Sequence, residues 1–297
     1  SGKSTLIKDV LLPAIKKKKD IHGEKIGEFT SIEGDFESFQ SIEFISQKPI
    51  GVSSRSNPVT YIKAYDEIRK LFAEQQFAKQ NSFQAKHFSF NVDGGRCDNC
   101  KGEGIVKIEM QFMADVELEC EECAGKRFKK NILQVKFDGL NIFDVLSLSV
   151  DKAIDFFIKN EKLKIAKILK PLQDVGMGYV ALGQSSSTLS GGEAQRIKLA
   201  SFLNKGYSKN KTLFLFDEPT TGLHMHDVKK LIESFNALVH MGHSLIVIEH
   251  NTNLIKQANH IIDLGPSGGN NGGYVIATGS PKDINENKKS SLFKLLG

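Results

Sequence analysis

Two unbroken apolar runs constrain this chain more than any other feature. Leu213-Phe214-Leu215-Phe216 ends on Asp217 and Glu218, and Leu245-Ile246-Val247-Ile248 ends on Glu249. A strand that is apolar at every position has no face to give to water. It needs cover on both sides, which is the situation of a parallel sheet. Between the runs, residues 227–241 set Val228, Leu231, Ile232, Phe235, Leu238 and Val239 on one helical face, and Gly242 is a natural stop. A strand–helix–strand unit results. Residues 41–47, with Ile42, Phe44 and Ile45, predict a further short strand, and residues 261–264 another. The glycine-rich stretch 265–273 reads as a turn or loop.

The middle of the chain has a different pattern. Residues 61–77 place Ile62, Tyr65, Ile68, Leu71 and Phe72 at helical spacing. Val106, Ile108, Met110 and Phe112 alternate with Lys107, Glu109 and Gln111, the period of a half-exposed strand. Helical patterning resumes over 150–174, with a break expected near Pro171. The expectation is an α/β core split by a helical subdomain that bears a small β-rich module.

That module is marked by cysteine. All four cysteines of the 297-residue chain fall between positions 97 and 123. Cys97-Asp98-Asn99-Cys100 and Cys120-Glu121-Glu122-Cys123 are two C-x2-C knuckles separated by residues 101–119, with Gly102, Gly104 and Gly125 available for tight turns. Two knuckles on a hairpin can set four thiolates tetrahedrally around one structural zinc. Cys97 to Gly104 also reads C-x-x-C-x-G-x-G, which resembles the repeat of the DnaJ co-chaperones' cysteine-rich domain. That domain carries four such repeats and no ATPase motifs; here there is one full copy and one partial.

Composition excludes little else. Hydrophobic residues at 40% and charged residues at 25% are ordinary for a soluble globular protein. No apolar run approaches the roughly 18–20 residues of a membrane helix. The first residues look like the interior of a motif, so residue 1 says nothing about targeting. A net charge of +5 permits nucleic-acid binding without demonstrating it. Between Lys86 and Lys130, eight Lys and Arg face nine Asp and Glu; Lys126, Arg127, Lys129 and Lys130 form a local cluster that suits either DNA contact or a strand edge kept soluble by charge. Lys16 to Lys19 reads as a solvated loop.

Three segments carry phosphate chemistry. Ser1-Gly2-Lys3-Ser4-Thr5 matches the end of the phosphate-binding loop G-x-x-x-x-G-K-[ST], whose first glycine would lie four positions before Ser1. Leu189-Ser190-Gly191-Gly192-Glu193 combines a hydroxyl and two glycines with a helix start, where backbone amides attract an anion. Asp217 and Glu218 follow an apolar strand: one carboxylate can hold magnesium while the next orients water. Each alone has an ordinary structural reading; their order does not. Lys3 and Ser4, Gln47, Leu189 to Glu193, Asp217 with Glu218, Thr220-Thr221-Gly222-Leu223-His224 and His250 resemble, in sequence order, the Walker A loop, Q-loop, signature, Walker B pair, D-loop and switch histidine of the ABC ATPases.

The resemblance implies an ABC-type P-loop core with an inserted, mainly helical signature subdomain and a zinc module. Residues 1–58 would form the first part of the core, 59–185 the helical subdomain with the module at about 88–130, and 186–297 the signature motif and the rest of the core. It implies ATP and phosphate binding by Gly2, Lys3, Ser4 and Thr5, magnesium binding by Ser4, Asp217 and Gln47, and catalysis by Glu218, His250 and Gln47. In this family Ser190, Gly191 and Gly192 serve the nucleotide of a different ATPase half, so a single half is expected to be incompetent. A zinc module between Q-loop and signature, held by Cys97, Cys100, Cys120 and Cys123, is similar to the UvrA family of the bacterial excinuclease. So are Gln47-Lys48-Pro49-Ile50-Gly51, Arg55-Ser56-Asn57-Pro58, Gly94-Gly95-Arg96-Cys97, Val175-Gly176-Met177-Gly178-Tyr179 and Asp263-Leu264-Gly265-Pro266. That likeness implies damaged DNA as a partner, a homodimer, UvrB bound through another part of the polypeptide, no membrane and a cytoplasmic setting. A transporter's nucleotide-binding subunit and a UvrA-like resistance protein without an excision role are the rival readings.

Overall fold

Seven strands run through the described residues of the computed structural model, which are 2–21, 25–51, 55–108, 110, 116–204, 210–267 and 272–296. They are β1 (Ser41–Ile45), β2 (Ile105–Ile108), β3 (Val116–Glu119), β4 (Thr212–Asp217), β5 (Ser244–Ile248), β6 (Ile261–Gly265) and β7 (Tyr274–Gly279). The chain divides into two compact units, Ser1–Gln47 with Lys205–Gly297, and Lys48–Asn204.

In the first unit, β1, β4 and β5 form a parallel sheet with β4 at its centre. Successive side chains of a strand point to opposite faces, and β4 is apolar on both. Leu213 and Leu215 pack with Leu12, Ile15 and Phe39, so the helix Leu12–Lys18 covers that face. On the other face Phe214 and Phe216 stack with ring centroids 6.2 Å apart. Phe216 lies 4.6 Å from Phe235 of the helix Met225–His240, and Phe214 meets His243 edge-on at 5.3 Å. The unbroken apolar run is thereby explained. Ile45 pairs with Phe216, and Phe216 with Val247, so the three strands end level.

The strand expected at 261–264 forms half of an antiparallel hairpin with β7, bulged at Asp263 and Leu264. Ile261 and Ala277 pack against Ile284 of the helix Pro281–Glu286. Of the stretch read as a loop, Gly265 closes β6, and residues 268–271 lie outside the described residues.

The second unit is mainly helical. Residues 61–77 are not one helix but parts of three, Pro58–Tyr61, Ala64–Ala73 and Gln76–Gln80. The first break comes at Lys63, whose φ of 65° is left-handed. The break expected near Pro171 lies elsewhere: helices span Val150–Lys159 and Leu163–Asp174, with Pro171 inside the second. Glu161 takes φ 58°, and the Lys162 and Glu161 amides donate to the Phe157 and Ile158 carbonyls. This closing pair of bonds is a standard helix stop. Pro171 sits so close to the end that the helix has only three residues left after it. The helix Gly191–Asn204 packs in this unit, and the Asn204 amide donates to the carbonyls of Ile62 and Ile168. The alternating segment gives the hairpin β2–β3, with Ile108 ending β2; Glu109, Gln111 and Phe112 lie outside the described residues.

If double-faced burial of β4 holds the first unit, Leu215→Ala should cost about 2–5 kcal/mol. Ile262→Ala, at a side chain 58% exposed, should cost less than about 0.5 kcal/mol. Urea unfolding measures both, and equal losses would contradict the assignment.

Candidate nucleotide and metal sites

Level strand ends bring chemistry to one edge. Gln47 follows β1 by two residues, Asp217 and Glu218 leave β4, and His250 leaves β5 two residues after Ile248. The carboxyl edge of a parallel sheet is where such folds bind ligands. Gly2 there has φ 75° and caps the helical start at Lys3–Thr5. A left-handed residue before a helix N-terminus turns amides outward, as an anion site requires. The Ser4 hydroxyl donates to Asp217 Oδ1 at 2.9 Å, across 213 residues of sequence. Two oxygens on adjacent octahedral positions of magnesium, each 2.0–2.1 Å from the ion, would stand about 2.9 Å apart, so this pair fits that cation.

Glu218 is strained. Its φ is 46°, in the left-handed region that a branched-free but bulky carboxylate side chain enters only under constraint. Such a conformation costs of order 1–3 kcal/mol and survives where surrounding bonds enforce it. Here the Glu218 amide donates to the Ile248 carbonyl at 2.9 Å, and the Thr221 amide to the Glu218 carbonyl at 3.2 Å. The strain presents the carboxylate to His250, whose Nε2 lies 3.4 Å from Glu218 Oε1.

One residue at this edge carried no signal in the sequence beyond its place before His250. The Glu249 carboxylate accepts from four donors: the Thr220 amide (2.9 Å) and hydroxyl (2.5 Å) on Oε1, and the His250 (2.6 Å) and Asn251 (2.9 Å) amides on Oε2.

In the second unit, Ser190 caps the helix Gly191–Asn204. Its hydroxyl accepts from the Glu193 amide, and the Glu193 carboxylate accepts from the Ser190 amide at 2.7 Å, a reciprocal cap. Tyr179 also donates to Glu193 at 2.5 Å. Burial pushes the Glu193 carboxyl up, but the bonds from Tyr179 and Ser190 outweigh it and hold the group below its ordinary value. The signature glycines are thus the first turn of a well-anchored helix, with amides free of i−4 partners.

The four cysteines converge. Their sulfurs all lie within 4.8 Å of one another, with Cys97 to Cys120 at 3.9 Å and Cys100 to Cys123 at 3.7 Å. Tetrahedral thiolates 2.3 Å from zinc stand about 3.8 Å apart, so the donor set is positioned for that ion. Second-layer donors are present too: the Gly104 amide points at Cys100 Sγ (3.2 Å) and the Asn99 side chain at Cys120 Sγ (3.4 Å). Gly102 is required: at φ 86°, a Cβ would sit 2.2 Å from the Phe90 carbonyl oxygen. Burial pushes the Cys123 thiol up; at Cys120 burial acts the same way, but the Cys123 amide and the neighbouring thiols outweigh it and bring the group down to about 7.

The basic cluster 126–130 does not present one face. Arg127 turns inward: its Nη1 donates to the Gly183 carbonyl at 3.0 Å, and the guanidinium lies 5.7 Å over the Phe90 ring. Lys129 pairs with Asp98 at 2.7 Å, while Lys126 and Lys130 are exposed.

Residues 1–221 match the model of the family described as ABC transporter. The chain is 49% identical over 296 residues, all of its length, to "UvrABC system protein A" of Clostridium perfringens, and 49% identical over the same span to that of Aquifex aeolicus. It covers 31% and 32% of those two proteins, so it spans about a third of the curated relatives it matches. The crystal structure of UvrA2 from Deinococcus radiodurans superposes with a TM-score of 0.88 at 40% identity, covering all of this chain and 35% of that one.

The sulfur geometry leads to one prediction. Elemental analysis of the purified chain should find one zinc, and Cys120→Ser should release it and loosen the β2–β3 hairpin while the parallel sheet stays folded. A metal-free wild type with a fully ordered hairpin would contradict this.

Proposed function

From a chain that belongs to the ABC transporter family and is related along its whole length to part of UvrABC system protein A, we infer one nucleotide-binding half of a UvrA-type ATPase that recognises DNA damage for nucleotide excision repair. The observation that carries the ATPase reading is the convergence of Ser4, Asp217, Glu218 and His250 at one edge of the parallel sheet.

In this reading Gly2, Lys3, Ser4 and Thr5 hold the nucleotide phosphates through amides, ammonium and hydroxyls. Ser4 and Asp217, with Gln47 beyond β1, hold magnesium, which supplies charge neutralisation at the phosphates when bound. Glu218 orients the attacking water and accepts its proton, and its left-handed backbone aims the carboxylate before substrate arrives. His250 and Gln47 contact the terminal phosphate. Ser190, Gly191 and Gly192 offer their helix N-terminus to the nucleotide of another half, which makes an isolated half a poor ATPase.

The four cysteines hold a structural zinc that stiffens the β2–β3 hairpin. Damaged duplex DNA, a second copy of the full polypeptide, and UvrB bound outside these residues are the proposed partners. Lys126 and Lys130 are the members of the basic cluster left open for DNA. No helix among the described residues is long and apolar enough to cross a membrane; the cytoplasmic setting is proposed from the relation to UvrABC system protein A.

Glu218→Gln in the full-length polypeptide tests the chemistry. ATP affinity should stay within about threefold while steady-state turnover falls by roughly a hundredfold or more, the usual effect of removing a positioned base. Unchanged turnover would assign the chemistry to a different carboxylate.

A further inference from the structure

The Glu249 carboxylate accepts four hydrogen bonds at the sheet edge, and neither a phosphate nor a cation ligand is needed to explain them. Its two oxygens divide their work. Oε1 takes the amide and hydroxyl of Thr220, 29 residues away in the loop after Glu218. Oε2 takes the amides of His250 and Asn251, the start of the segment that carries the switch histidine. The carboxylate is therefore a clasp between two loops that leave neighbouring strands.

His250 needs such a clasp. Its side chain is 67% exposed, so packing does not fix where it points. What fixes it is backbone, and Glu249 holds that backbone at the His250 amide. The other partner of His250 is set from the far side of the same clasp. Glu218 is two residues before Thr220, its carbonyl accepts from Thr221, and its strained φ of 46° must be enforced by this loop. One carboxylate thus sets both members of the Glu218–His250 contact.

We propose that Glu249 is a positioning residue for ATP hydrolysis: by clasping Thr220 to the amides of His250 and Asn251, it holds the switch histidine and Glu218 in mutual register. This rests on the ATPase reading given above.

Glutamine is the discriminating substitution. It has the same shape, but one of its two ends is a donor. Turned one way, its NH2 faces the Thr220 amide and loses that bond, although the Thr220 hydroxyl can turn to accept; turned the other way, it faces the His250 and Asn251 amides and loses both bonds. In the full-length polypeptide, Glu249→Gln should lower kcat roughly ten- to a hundredfold, as misplacement of about an ångström does, while KM for ATP stays within about threefold. Because part of what Glu249 does is done through His250, its effect must shrink when His250 is already gone: Glu249→Gln should slow the His250→Ala enzyme by a clearly smaller factor than it slows the wild type. Thr220→Val, which removes one donor and keeps the fold, should show a smaller loss and the same masking by His250→Ala. It decides the matter if Glu249→Gln does not fold.

A Glu249→Gln enzyme with full turnover and a lowered melting temperature would reduce Glu249 to a structural bond and overturn the proposal. So would losses that multiply with those of His250→Ala. A wild-type full-length protein that hydrolyses no ATP would instead overturn the reading on which the proposal stands.

Discussion

Burial of β4 on both faces is the constraint from which the first unit follows. Leu213 and Leu215 are committed to one helix, Phe214 and Phe216 to another. With both faces fixed, the strand cannot slip by one residue without turning every side chain to the wrong side. Its end is therefore as well placed as its core. That is why a polar and partly exposed pair, Asp217 and Glu218, can be held where Ser4 lies 2.9 Å from one and His250 3.4 Å from the other. The strain at Glu218 is sustained by the same arrangement: its amide is bonded to Ile248, the last residue of the neighbouring strand. Hydrophobic burial here is what makes a charged edge rigid.

The second unit solves a different problem. The hairpin β2–β3 is four residues on each side, and β3 is exposed along its whole length. A hairpin of that size buries too little to be stable alone. Four sulfurs gathered within 4.8 Å are placed where a bound zinc would supply what the missing core does not. Arg127 fastens the module inward. Its backbone carbonyl accepts from the Cys97 amide, and its guanidinium reaches the Gly183 carbonyl a few residues before the signature helix begins. A position that in sequence belongs to a run of surface charges is a strut in the fold. Burial holds its guanidinium below the ordinary value, with the nearby Tyr65 and thiol groups acting the other way.

What could be read in the sequence was what periodicity and spacing control. The strands β1, β4 and β5, the helix Met225–His240 and the convergence of the cysteines follow from apolar runs and from the C-x2-C spacing. The interruptions were less legible. Lys63 and Glu161 adopt left-handed backbone that neither glycine nor asparagine announces, so helices end where no stop residue stands. Pro171 misled in the opposite sense, because a proline three residues from a helix end has little helix left to break. The direction of Arg127 and the four bonds of Glu249 were out of reach for another reason. Each depends on which loops the sheet brings together, and spacing along the chain does not encode that.

The central claim is that the carboxyl edge of this sheet is a magnesium–nucleotide site built on Ser4 and Asp217. A crystal structure of the full-length protein with magnesium and a non-hydrolysable ATP analogue tests it directly. The account predicts magnesium in place of the Ser4–Asp217 hydrogen bond as the link between those side chains, with the terminal phosphate facing Glu218 and His250. A nucleotide bound with Ser4 and Asp217 still bonded to each other, and magnesium held elsewhere, would contradict it.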